Sequence, residues 1–170
     1  MNITLHPAPE PGRPAARTST SSYYSYRHTV SFEETNLVGN VYFTRHLSWQ
    51  GRCRELFLRD YAAEVLEELQ GDLRLVTLNV SCDYFAELHA LDIVEIRMHL
   101  AQQHQHRIKL RFDYLLQRGS SESLIARGLQ EIGCMRQTAA GLAPTDVPRS
   151  LALALAQFED ASHDRLERYR

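Results

Sequence analysis

The chain has 170 residues, 44% of them hydrophobic and 24% charged, an ordinary globular composition that most simply makes one domain. Its formal net charge of −2, with both signs mixed along the sequence, excludes the usual argument for nucleic acid or an anionic membrane as partner. No apolar run approaches the ~20 residues that cross a bilayer, and the first residues lack the charged-then-apolar pattern of a secretory signal.

Residues 1–22 are rich in Pro, Ser, Thr and Ala and carry hardly any large apolar group, so a disordered N-terminal arm is expected. Alternation begins at "YYSYRHTVSF", where Tyr24, Tyr26, His28, Val30 and Phe32 share one face of a strand. The loop "EETNLVGN" follows, then one long helix from near Thr44 into residues 61–69. Gly51 inside that helix costs ~1 kcal/mol against Ala, which predicts a neighbour packed on its bare backbone. Gly71 and Asp72 close the helix.

Three clean strand patterns come next: Val76-Leu78-Val80-Cys82-Tyr84, Val94-Ile96-Met98-Leu100 and Ile108-Leu110-Phe112-Tyr114. A weaker strand, "LIARGLQEIGCMR", precedes a Gly- and Pro-containing loop over residues 141–148, and residues 149–170 read as a C-terminal helix. One strand, a helix and four hairpin-spaced strands predict an α+β domain over residues 23–148. Its sheet of about five antiparallel strands must curve, because the helix is apolar around most of its circumference and needs enclosure. Cys53, Cys82 and Cys134 are odd in number and lie in apolar segments, so they read as buried thiols in a reducing cytoplasm.

One residue disturbs the helix pattern. Ser48, Arg52, Glu55 and Arg59 form a solvent stripe, but Arg54 points almost oppositely, among Leu47, Phe57, Leu58 and Tyr61. A guanidinium in apolar surroundings costs several kcal/mol unless paired. Three readings remain: an ion pair with Asp83, Asp60 or Glu34; a buried stem with a head that snorkels to a polar edge; or a cation facing a cleft that receives negative charge.

The stretch "VSFEETNLVGNVYFTRHLSWQGRCREL" resembles the first strand, loop and central helix of hotdog-fold acyl thioesterases of the 4-hydroxybenzoyl-CoA thioesterase type. The family's loop signature has its counterpart in Glu34-Thr35-Asn36, Gly39 and Val41-Tyr42, and its helix signature in Arg52-Cys53-Arg54. "CDYFAELHALDIVEI" resembles the junction of the family's second and third strands, so the resemblance spans about residues 24–136. It departs at the chemistry. Asn36 stands where such enzymes carry a loop Asp, and Gly51 where others carry a helix Glu. That departure, with "GNVYFT" and "WQGRCRE", is most similar to the thioesterases of enediyne-type iterative polyketide synthases. The resemblance implies release of a polyene or β-ketoacyl chain from an acyl carrier protein bearing it on phosphopantetheine. It also implies a homotetramer of hotdog dimers, a tunnel along the helix and no cofactor.

Neither Asn36 nor Arg54 is a base near neutral pH, but both donate hydrogen bonds. The expected mechanism is therefore water attack, with Arg54 and helix-start amides around Tyr42–His46 stabilising the oxyanion and Asn36 orienting the water or carbonyl. His46 reads either as a hydrogen-bonded interior histidine or as a general base. Gly39, Asn40, Tyr42, Phe43, Arg45 and Gly51 are the expected substrate-binding positions, with Tyr42 as tunnel wall, Arg45 as a surface or carrier-protein contact and Asn40 also read as a turn former. Glu34 is the fallback base. His104 and His106 have metal-like spacing but no partner beside them, so a hairpin turn is expected and no metal. A non-catalytic acyl- or polyene-binding protein, an acyl-CoA thioesterase of primary metabolism and a hydratase on the same scaffold are the rival readings.

Overall fold

The structure, a computed structural model, describes residues 23–159; the expected N-terminal arm and the end of the C-terminal segment lie outside them. Six strands form one antiparallel sheet: β1 (Tyr24–Thr29), β2 (Leu73–Tyr84), β3 (Ile93–Gln103), β4 (Arg107–Arg118), β5 (Ser121–Thr138) and β6 (Gly141–Pro144). Their order is β1-β3-β4-β5-β2, with β6 added to β5. β4 leaves β5 at the Arg107–Gly133 pair, and β6 takes over that side for Met135 to Thr138.

The sheet encloses α1 (Thr44–Tyr61), whose His46, Trp49, Gln50, Cys53, Phe57 and Leu58 are buried. Alternation decides the core. Val94, Ile96 and Met98 on β3 face Leu110, Phe112 and Tyr114 on β4, all at most 2% exposed. Tyr24, Phe57, Tyr61 and Phe158 close the far end of α1 as an edge-to-face and stacked aromatic group. The last helix, α3 (Arg149–Ala156), buries Leu151, Ala154 and Leu155 against that core.

Five expectations change. The long helix is two helices: Ala62 leaves helical geometry (φ −143°, ψ 47°), and α2 (Ala63–Gln70) restarts so that Val65 is fully buried. No Pro or Gly marks that break in the sequence. The weak strand is the longest, with 18 residues, and part of the expected 141–148 loop is β6. β2 does not keep one apolar face, because a bulge shifts the register between Thr77 and Asn79. It lies at the sheet edge and leaves Leu78 and Val80 exposed. A Cβ built on Gly51 meets nothing within 4 Å, so the expected packing neighbour is absent among the described residues.

Candidate active site

The loop before α1 is built by its own polar side chains. Asn36 Oδ1 accepts from the Val38 amide at 3.0 Å, and its Nδ2 donates to Asn40 Oδ1. Asn40 Nδ2 in turn donates to Glu87 Oε1 at 2.8 Å. Gly39, at φ +91°, takes the left-handed position that closes the turn. Asn36 and Asn40 are thus turn-forming residues, and the Asn36 carboxamide is largely engaged inside its own loop. Leu37, Val38, Tyr42 and Phe43 point outward, the last two 48% and 54% exposed. Both aromatics lie on the protomer's surface. Arg45 is half-buried and donates to the Glu33 carbonyl at 3.1 Å.

Glu34 is buried, not a solvated strand end. Trp49 Nε1 donates to it at 2.8 Å, the Ser31 amide at 2.8 Å and the Ser31 hydroxyl at 3.1 Å, and His28 Nε2 lies 2.8 Å away. Burial would raise this carboxyl, but the donors from Ser31, Trp49 and His28 hold it below its ordinary value. So many donors leave it no free lone pair for the fallback base role.

His46 sits among the rings of Trp49, Tyr84 and Tyr114, at 5.0, 5.0 and 5.4 Å, and is only 4% exposed. Neither ring nitrogen makes a well-formed hydrogen bond among the described residues; the Phe43 carbonyl is its nearest polar influence. Desolvation pushes its pKa down to about 4, with only the Phe43 carbonyl pulling the other way. A neutral, enclosed imidazole with no path to water inside the protomer is a poor general base.

Arg54 lies where the periodicity placed it. Arg54 lines a small apolar gap together with Phe57 and Leu58 of α1, Leu75 of β2, Ile108 and Leu110 of β4, Ile132 of β5, and Leu151 and Leu155 of α3. Nη1 donates to Gln130 Oε1 at 3.2 Å and approaches Thr77 Oγ1 at 3.5 Å. No described carboxylate pairs with it. Asp60 binds Tyr24 and Arg59, and Glu34 is engaged as above. Burial lowers the Arg54 pKa from its ordinary value, yet a guanidinium so placed stays protonated near neutrality.

Arg54 is ten residues into α1, about 15 Å along the axis from Thr44. Within one protomer that separation sets Arg54 apart from the amides at the start of the helix. The residues gather into two groups, the loop with the first helical turn and the Gly51–Arg54 segment. Gln130, Thr77 and Gln50 were missed in the sequence; only their place on the inner faces of strands and helix could have signalled them. His104 and His106 lie on the β3–β4 hairpin as expected, and no cluster of metal-binding side chains occurs among the described residues. No helix among them is long and apolar enough to cross a membrane.

A family model, the thioesterase-like superfamily, matches residues 30–155. The chain belongs to that superfamily. Among solved structures it is similar to the dynemicin thioesterase, described by induced-fit and allosteric effects upon polyene binding. The two are 45% identical with a TM-score of 0.79, over 82% of this chain and 99% of that one. It is also 27% identical to a 1,4-dihydroxy-2-naphthoyl-CoA hydrolase of Synechocystis sp., over 76% of this chain and 94% of that protein. A Pseudomonas aeruginosa protein, 16% identical with a TM-score of 0.72 over 82% of this chain and 94% of its own, shares the fold. The curled sheet around α1 is the hotdog thioesterase fold, and its activity class is thioester hydrolysis.

Proposed function

We propose that this thioesterase hydrolyses a polyene or β-ketoacyl thioester carried on the phosphopantetheine of an acyl carrier protein, as part of an enediyne-type iterative polyketide pathway. The observation that carries the reading is the inward-turned Arg54 guanidinium, which lies beside apolar side chains and is hydrogen-bonded only to neutral acceptors. Asn36 and Gly51 occupy the positions where the resembled enzymes carry acids, so the reaction has no carboxylate nucleophile. Water attacks the thioester carbonyl, the electrons move onto its oxygen, and Arg54 stabilises that oxyanion in a water-poor setting. Collapse expels the pantetheine thiolate, which is protonated, and leaves the free acid. A β-ketoacid so released is chemically able to lose carbon dioxide.

The chain acts as a homo-oligomer, in keeping with the exposed Leu78 and Val80 on its edge strand β2. In that assembly the Asn36 loop of one copy faces the Gly51–Arg54 segment of another, which removes the 15 Å mismatch within one chain. Tyr42, Phe43 and Arg45 then line the entrance, with Arg45 meeting the carrier protein. Purified protein mixed with acyl-loaded carrier protein should release free thiol and an acid identified by mass. Hydrolysis of the matching acyl-CoA at equal efficiency would instead favour an acyl-CoA thioesterase, the chemistry named for the Synechocystis relative. Acyl binding without thiol release would make the protein a polyene carrier.

A further inference from the structure

Gln50 and Arg54 are one turn apart on α1, and β5 meets them with Gly128 and Gln130, two residues apart on its inner face. The spacings agree, since four helical residues rise about 6 Å and two strand residues about 6.6 Å. The first pair seats the helix. Gln50 is fully buried, its Nε2 donates to the Ser81 carbonyl at 3.1 Å, and its carboxamide fills the space over Gly128, where a Cβ would come within 2.0 Å of Nε2. The second pair holds the cation. Gln130 is 5% exposed, and its Oε1 accepts from Arg54 Nη1 at 3.2 Å.

A guanidinium withdrawn from bulk water, as the half-buried Arg54 is, is ordinarily satisfied by a carboxylate, which supplies acceptors and cancels its charge together. An amide oxygen supplies an acceptor and cancels nothing. Of the five N–H groups of an arginine, those on Nε and Nη2 carry no described partner here. We propose that Gln130 is a positioning residue of the thioester hydrolysis: it fixes the Arg54 guanidinium through a neutral acceptor, leaving its charge for the developing oxyanion. A glutamate of the same size would hold Arg54 as well or better but would neutralise it before the substrate arrives. Fold stability and catalysis should therefore part company at this one position. The inference rests on the functional reading above.

The test compares the parent with Gln130→Glu and Gln130→Met in thioester turnover, melting temperature and calorimetric binding of decanoate, an apolar chain ending in a carboxylate. Gln130→Glu is expected to melt at or above the parent temperature, to lose about 100-fold in kcat with KM within about threefold, and to lose decanoate binding. Gln130→Met keeps the charge but frees the guanidinium, so its kcat should fall only about tenfold and decanoate binding should persist. A folded Gln130→Glu with parental kcat, or equal losses in both variants, overturns the proposal. If Gln130→Glu does not fold, a Gln130→Met with parental kcat overturns it. A parent that releases no thiol sinks the functional reading alone. The decanoate arm still decides whether Gln130 keeps the charge whole, since binding by Gln130→Glu equal to the parent's would overturn that.

Discussion

The two halves of α1 differ in how their polar groups are used. At the first turn, Asn36 and Asn40 hold each other, Glu34 is ringed by donors, and His46 is enclosed by rings. Ten residues on, Arg54 hydrogen-bonds one amide and one hydroxyl, feels the adjacent Glu55 carboxylate without pairing with it, and Gly51 nearby opens onto empty space. A region whose hydrogen-bonding capacity is filled within the protomer builds shape. One whose charge is left uncancelled retains free energy for a substrate to use. Under the proposed function, the contrast puts architecture at the loop end and oxyanion stabilisation in the middle of the helix.

Removing the cation is the sharpest way to break that contrast. Arg54→Ala should lower kcat by roughly 100- to 1000-fold, about 2.7–4 kcal/mol, with the melting temperature little changed. Parental turnover by a folded variant would make the middle of the helix as passive as its start.

At the other end, His46 gives a pH signature. Its folded pKa of about 4 lies below the ordinary 6.5, so the unfolded chain binds the proton more readily. Stability from this group is full above pH 6.5 and falls as pH drops towards 4, by about 3 kcal/mol. The surrounding Trp49, Tyr84 and Tyr114 bring no charge in that range; burial and the neighbouring Cys82 raise Tyr84 to about 12, and burial raises Tyr114 further. Denaturant titrations at pH 7 and pH 4.5 should show a loss that His46→Phe reduces, whereas equal slopes would mean the imidazole is solvated.

The seat beneath the helix is the next point of leverage. Gly128→Ala places a Cβ 2.0 Å from Gln50 Nε2 and 3.3 Å from the Ser81 carbonyl, so Gln50 must move and its bond to Ser81 must break. The expected loss is about 1–3 kcal/mol in a thermal melt, with activity falling too because Arg54 shifts with the helix. The smallest effect has the opposite sign. Gly51→Ala should stabilise the isolated protomer by about 0.5–1 kcal/mol, since its Cβ meets nothing. If that gain disappears at concentrations where the protein self-associates, another copy occupies the space beside Gly51.

Periodicity carried a great deal here. The strand faces of β3 and β4, the start of α1 at Thr44, the solvent stripe through Arg52 and the inward turn of Arg54 all follow from side-chain spacing, because local geometry repeats along a helix or strand wherever the chain is regular. Irregular points were not legible. The break at Ala62 has no Pro or Gly to mark it, and the bulge after Thr77 reverses a face that alternation had drawn as continuous. Burial of Glu34 was also hidden, since its partners His28 and Trp49 come from either side of the loop.

By itself, then, the order of residues determined the α+β sheet-and-helix plan, the family resemblance, the absence of the usual acids at Asn36 and Gly51, and one misplaced cation. Only the tertiary structure decided what that cation touches. Gln130 lies 76 positions from Arg54 along the chain, and whether a half-buried guanidinium meets an amide or a carboxylate is a property of which strand crosses the helix. Composition counts charges, while folding chooses their neighbours, and it is the neighbours that leave this one available.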